Sequence, residues 1–165
     1  MAIVDYFLKI NNPAVEGEAM DSVHMGEIEV ESWSWGETQE GTAIYAQGIA
    51  AGKVTVKDFR FIKRMDKSSP KLLLYCCTGQ HIKDIKLTCR KAGTVQQEYY
   101  VINFTDSLVS SYQTAGSAQT DIVPREQISL NFSKIQVIYR PQLPDGSLGG
   151  LVQGGWDVKQ NLDSN

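Results

Sequence analysis

Histidine and cysteine are scarce in this chain: His24 and His81 are the only imidazoles, and Cys76, Cys77 and Cys89 the only thiols. A metal centre needs several ligands at set spacing, and the cluster of Cys76, Cys77, His81 and Cys89 fits no common zinc pattern. On a helix, Cys76 and Cys77 would also point about 100° apart. An odd number of thiols, two of them adjacent, argues against a disulfide framework, so buried free thiols in a reducing compartment are expected. Positive charge is not in excess either. Lys and Arg number 16 against 19 Asp and Glu, a formal charge of −3 that leaves no electrostatic footprint for nucleic acid. No apolar run approaches the ~20 residues of a membrane-spanning helix. The opening MAIVDYFLKI carries Asp5 within its apolar stretch and no basic region before it, unlike a cleaved signal peptide. A nucleophile elbow, a zinc-binding helix motif, a P-loop and a dinucleotide fingerprint are all missing. The expectation is a non-enzymatic protein with no cofactor, no metal and no membrane insertion.

What the chain does have is alternation. Its 165 residues suit one domain, and 42% apolar with 21% charged residues fits a globular one. Apolar and polar residues alternate over residues 3–10, 27–35, 53–62, 81–91, 127–139 and 153–160, each read as a strand. Residues 96–104 and 107–113 read as a hairpin turning at Thr105-Asp106. One short helix is expected from Ser69 to Cys77, with Ser68 as its cap, Pro70 in its first turn and Gly79 as its stop. Its body is apolar enough, through Leu72, Leu73, Tyr75 and Cys76, to plug one end of a barrel. Many short strands with regular turns predict an antiparallel β-barrel or sandwich.

The segment from Val15 to Gly36, VEGEAMDSVHMGEIEVESWSWG, carries the most detail. Ile28 and Val30 are apolar on one face, then Trp33 and Trp35 on the other, so a bulge or bend is expected near Glu31-Ser32. Two tryptophans sharing a face imply that this face is packed, with Ser34 turned the opposite way. Glu27, Glu29 and Glu31 share a face that is expected to be solvated. His24 is expected to hydrogen-bond and fix the turn before this strand. The stretch from Gly36 to Gly52, GETQEGTAIYAQGIAAG, shows no period and reads as a long extended loop. A free loop would not expose Ile44, Tyr45 and Ile49 without reason, so it is read as an arm that docks on a neighbouring subunit.

These residues resemble the signature of the Hcp family, the tube proteins of bacterial type VI secretion. The family opening G-E-S-x-D-x-x-H-x-G-E-I-E-V is matched by Gly17-Glu18, Asp21, His24 and Gly26-Glu27-Ile28-Glu29-Val30. Ala19-Met20 departs from the usual Ser-x. Ser32-Trp33-Ser34-Trp35-Gly36 resembles the S-W-S-W-G that follows, and Ala51-Gly52-Lys53-Val54 the family's A-G-K-V. Ser69-Pro70-Lys71-Leu72, Thr78-Gly79, Thr88-Cys89-Arg90-Lys91-Ala92-Gly93 and Gly155-Trp156-Asp157 extend the likeness, in order, across nearly the whole chain.

The resemblance implies a single squat β-barrel domain over residues 1–165, with a helix on its flank and no appended C-terminal effector. It implies a homohexameric ring that stacks into a hollow tube, a contractile sheath that expels it, a VgrG-type spike at its tip and small effector proteins carried inside. The protein would be made in the bacterial cytoplasm and secreted without a cleaved signal peptide. Under this reading Ser34 is the candidate for the lumen and cargo, and Ile44, Tyr45 and Ile49 are anchors for stacking or ring closure. Trp33, Trp35 and Trp156 are structural aromatics. A monomeric small-ligand-binding β-barrel has the same strand pattern and stands as the alternative. A phage-like tail tube lies close to the main reading.

Overall fold

The computed structural model of the chain describes residues 4–42, 50–91, 95–120 and 122–164. Its elements run β1 (Val4–Asn11), β2 (Ile28–Val30), β3 (Ser32–Ser34), β4 (Glu37–Thr42), β5 (Ala50–Val56), β6 (Phe59–Arg64), α1 (Ser69–Thr78), β7 (Ile82–Lys91), β8 (Gln97–Ala115), β9 (Arg125–Tyr139), β10 (Val152–Asp157) and β11 (Leu162–Asp163). Each ladder is antiparallel. The mainly-β class with one helix therefore holds.

The main sheet runs β11-β10-β9-β8-β7-β1-β2, and β6 joins it between β9 and β3. At 15 residues, β9 is long enough to serve two neighbours on one edge. Residues 125–130 pair β6 and residues 134–139 pair β10, while β8 follows the other edge. β2 pairs β1, and β3 pairs β6. Since β2 and β3 are consecutive pieces of one segment, the ring of pairings is completed across Glu31 and not by a continuous ladder. The change of face falls there, as alternation predicts: Ile28 and Val30 are buried before the break, and Trp33 packs on the core after it.

Three local expectations are corrected. The hairpin at Thr105-Asp106 does not form, because both flanks pair with the same strand, β9, and the chain runs straight on as β8. Asp106 does take a left-handed conformation (φ 49°), and the Ser133 hydroxyl opposite donates to its carbonyl at 3.2 Å. There the two strands change face together: Phe104 and Ile135 are buried on one side of it, Ser107 and Phe132 on the other. Residues 53–62 are two strands, β5 and β6, parted at Lys57-Asp58. The loop from Gly36 to Gly52 begins and ends as strands, since Glu37, Thr38 and Gln39 pair Val56, Thr55 and Val54. Backbone pairing needs no apolar period, which is why the period missed it. Ile44, Tyr45 and Ile49 lie outside the described residues.

The helix spans one residue more than expected, and one stripe of it turns inward. Leu72, Tyr75 and Cys76, spaced i, i+3, i+4, turn toward the core, while Leu73 and Leu74 are exposed. Ser68 does not cap it through its side chain, because its hydroxyl is held by the Asp66 carboxylate. Gly79, left-handed at φ 67°, ends the helix with its N–H on the Tyr75 carbonyl.

The interior is filled by side chains. Phe59 is buried at the centre, with ring centroids of Phe104 at 4.8 Å and of Phe61 and Trp33 at 6.0 Å. Phe104 continues to Phe132 at 5.0 Å, and Trp35 reaches Phe132 at 6.3 Å. Among the described residues the interior is thus packed with aromatic rings. Truncating the central ring removes apolar contact and leaves a cavity, so Phe59→Ala should lower stability by about 3–5 kcal/mol. Urea unfolding should show a lower midpoint at unchanged slope; a shift below about 1 kcal/mol would mean that Phe59 is not central.

Candidate functional site

The signature loop between β1 and β2 is built around backbone contacts that dictate its glycines. Gly17 N–H donates to the Gly26 carbonyl (2.8 Å), Gly26 N–H to Ala19 (2.9 Å) and Ala19 N–H to Glu27 (3.0 Å). A Cβ on Gly17 would lie 2.5 Å from the Glu27 oxygen and 2.6 Å from Ile28 Cα, so only glycine fits. Gly26 turns the chain at φ 75°.

Asp21 and His24 tie this loop to the sheet. Asp21 accepts the backbone N–H groups of Val23 (3.0 Å) and His24 (3.1 Å) and, through both oxygens, the Arg90 guanidinium at 3.0 and 2.7 Å. Arg90 is buried, reaches Asp5 at 3.1 Å and sits 4.9 Å from the Phe7 ring centroid. The Arg90 hydrogen bonds hold the Asp21 carboxyl well below the usual carboxylate range, and the same contact raises Arg90. The buried His24 ring lies flat on Phe7 (4.4 Å, 9°), with Nδ1 2.9 Å from Glu27 and Nε2 2.8 Å from Glu98.

A second buried charge joins α1 to the sheet. Lys63 and Glu126 are both fully buried and 2.8 Å apart. Lys63 also donates to Asp66 (2.8 Å), the Ser69 hydroxyl (3.1 Å) and the Arg64 carbonyl (3.1 Å). Ser69 donates to Glu126 at 2.9 Å, and the Tyr112 hydroxyl closes on the other Glu126 oxygen. Burial raises the Tyr112 phenol, and Glu126 beside it adds to the rise. Sequence reading missed this network, since Lys63 and Glu126 stand 63 positions apart in strands that look amphipathic.

The remaining residues divide between core and surface. Trp33 and Trp35 pack on the core, Trp35 donating to the Lys57 carbonyl at 3.1 Å. Trp156 joins the same cluster, with its indole N–H buried and without a hydrogen-bond partner among the described residues. Ser34 is exposed and lies across the ladder from Arg60. Of the acidic trio, only Glu29 is simply solvated. Glu27 holds His24, and Glu31 accepts from Arg64 and Arg125, each at 2.8 Å. Burial alone would raise Glu31, but the hydrogen bonds from Arg125 and Arg64 outweigh it and hold the group low. The expectation of three buried thiols is also corrected: Cys89 is buried, Cys76 half-buried and Cys77 exposed, because Cys77 falls outside the helix's inward stripe. Burial pushes the Cys89 thiol up to about 12. Among the described residues no three His, Cys, Asp or Glu side chains gather as metal ligands. Beside the β4–β5 hairpin lies a surface groove of about 640 Å³, lined by Trp35, Glu37, Val54, Val137, Gly155 and Trp156. The arrangement brings charges together to hold loops and the helix in place. Its open features are surfaces.

Comparison with known proteins points the same way. The family described as "Type VI secretion system effector, Hcp" matches residues 7–139. "Protein hcp1" of Pseudomonas aeruginosa is 45% identical over 163 residues, covering 98% of this chain and 99% of that protein. Among solved structures, Hcp1 from Salmonella typhimurium superposes with a TM-score of 0.80 at 34% identity, over 99% of this chain and 100% of that one. A structure described as a type six secretion system protein reaches a TM-score of 0.91 at 30% identity, over 97% of this chain and 99% of that one.

The loop geometry makes acid stability testable. A carboxylate held low in the folded state contributes stability that is present above the unfolded value, about 3.9, and is lost as pH falls below it. Asp21→Asn should therefore unfold at lower urea than the parent at pH 7 and lose less of its midpoint between pH 5 and pH 3. Parallel acid limbs for the two proteins would show that the Asp21–Arg90 contact contributes nothing.

Proposed function

The chain belongs to the Hcp family of type VI secretion proteins, and from that premise we propose that it is the subunit of the secretion tube. Copies close into a hexameric ring and rings stack into a hollow tube. A contractile sheath drives the tube outward behind a VgrG-type spike, and small effector proteins travel in the bore. The observation that carries this reading is end-to-end likeness to hcp1, 98% of one chain against 99% of the other, with the fold matched over the same span.

Ring closure by rotation needs two different complementary patches on each subunit. Several exposed features suit such contacts. Met20, Val23 and Met25 project from the signature loop as an exposed apolar group. The outer edge of β10 carries only the two-residue β11 at its end. The β4–β5 hairpin pairs with no other strand among the described residues, which leaves it available to a neighbour. The segment of sequence that links these two strands, with Ile44, Tyr45 and Ile49, is the part we assign to the next ring. We assign Ser34 to the bore.

Negative-stain electron microscopy with light scattering tests the reading directly. Six-fold rings with an open centre are expected; a monodisperse 18.3 kDa monomer would demote the tube subunit. Deleting residues 44–49 should leave rings intact and lower the yield of end-to-end cross-linked tubes several-fold, whereas unchanged tubes would remove the arm from stacking. Ser34→Glu should leave rings intact and reduce the effector protein that co-purifies with them. Loss of the ring in this variant would place Ser34 in a packed interface and not in the bore.

A further inference from the structure

The outward side of β3 and β6 holds a group of hydrogen-bond donors that the fold does not use. Ser34 stands across the ladder from Arg60 and Ser32 from Ile62, and Ile62 in turn faces Gln127 of β9. Ser32, Ser34, Arg60 and Gln127 rim a shallow hollow of about 190 Å³. Arg60 is exposed, and its guanidinium has no partner among the described residues. The other three side chains are equally without protein partners there.

The charges around it are already engaged. Four positions along β6, Arg64 is met by Glu31, which also holds Arg125. Two positions the other way, Asp58 accepts from Ser110 (2.6 Å) and Asn131 (2.9 Å). Glu29 lies on β2, whose partner is β1 and not β6. Arg60 is thus the one cation of this strip with no anion beside it among the described residues. A guanidinium offers its N–H groups as a planar fork that matches a carboxylate, and the hydroxyls and amide beside it supply further donors for a second oxygen or a peptide carbonyl.

We infer that this face binds acidic peptide segments, with Arg60 as the carboxylate-recognising residue and Ser32, Ser34 and Gln127 as supporting donors. The chain's net charge of −3 repels such a ligand overall, so any binding must come from a local site. The inference rests on the tube-subunit reading at one point: with Ser34 in the bore, ring symmetry repeats Arg60 around it. Like charges lining a confined channel focus their field and raise the local concentration of the opposite charge. The cargo selected would then present Asp- or Glu-rich stretches to the wall.

The probes are fluorescein-labelled deca-glutamate and deca-lysine peptides, titrated with the full chain and followed by fluorescence anisotropy. The parent should bind deca-glutamate more tightly than deca-lysine, and binding should weaken as salt rises from about 0.05 to about 0.5 M. Arg60→Gln should weaken deca-glutamate binding at least ten-fold, and Arg60→Glu should abolish it, both with the parent's melting midpoint. Undiminished binding in both variants, or a parent that prefers deca-lysine or binds neither peptide, overturns the inference. Micrographs of the same samples separate the two readings. A monomer removes the tube subunit while the titration still decides the face, and rings that bind deca-glutamate without regard to Arg60 remove this inference alone.

Discussion

The fold turns on one interruption, at Glu31. A strand that kept strict alternation from Ile28 onward would bury Ser32 and Ser34 and send Trp33 and Trp35 into water. The break reverses this. It lets one short segment pair β1 before it and β6 after it, and so brings both ends of the ring of pairings together. The backbone at the break is not abandoned, since Glu31 N–H donates to the Ile62 carbonyl at 2.8 Å. Its carboxylate bridges Arg64 and Arg125, both largely exposed, and exposed pairs of this kind contribute about 0–1 kcal/mol each. Burying the tryptophan rings against Phe59, Phe132 and Tyr100 is worth more, at roughly 1.5–3 kcal/mol per large apolar side chain. The aromatic core therefore holds the break in place, and the ion pairs refine it.

Two buried cations then fix what the aromatic core leaves free. Arg90 ties the signature loop to β1 through Asp21 and Asp5, and Lys63 ties the start of α1 to β9 through Asp66, Ser69 and Glu126. Desolvation offsets most of the attraction in such pairs, so neither is a large net source of stability. Their directional hydrogen bonds do something that apolar packing does not, which is to allow one position for the loop and one for the helix. This explains why the signature reads as it does. Gly17 makes room for the Glu27 backbone, Gly26 turns, Asp21 receives Arg90 and His24 stacks on Phe7 between two carboxylates. The residues that identify the family specify a loop.

Local period made the strands, the single helix, the break at Glu31 and the packed tryptophans legible. It failed where the deciding contact was distant. Thr105-Asp106 has the composition of a turn, yet β9 pairs both of its flanks and the strand continues. Glu37 to Thr42 has no apolar rhythm, and only its partner β5 makes it a strand. Leu73 looked inward by composition, but a helix lying on a sheet buries one stripe, and Leu73 lies on the other side. The Lys63–Glu126 pair and the unpartnered Arg60 were invisible for the same reason: what decides them is a cross-strand neighbour, which a single sequence does not display.

Those distant contacts also bear on how such a chain would act. Among the described residues its centre is packed with aromatic rings, and its open features are a hairpin, a strand edge, an apolar loop and a donor-lined face. None of these is large, and a single contact through any one would be weak. Rotational symmetry changes that arithmetic. In a closed ring each subunit is held on two sides, and in a stack each ring is held by several copies of the same contact, so modest interfaces sum to a stable tube. In the proposed ring the same repetition would act on the face beside Ser34: a lone exposed arginine is poor at holding an acidic segment, but a circle of them facing a common axis would present several forks to one chain. Rigidity in the barrel is what keeps those forks in register, which returns the burden to the break at Glu31, one residue away from the strand that carries Ser34.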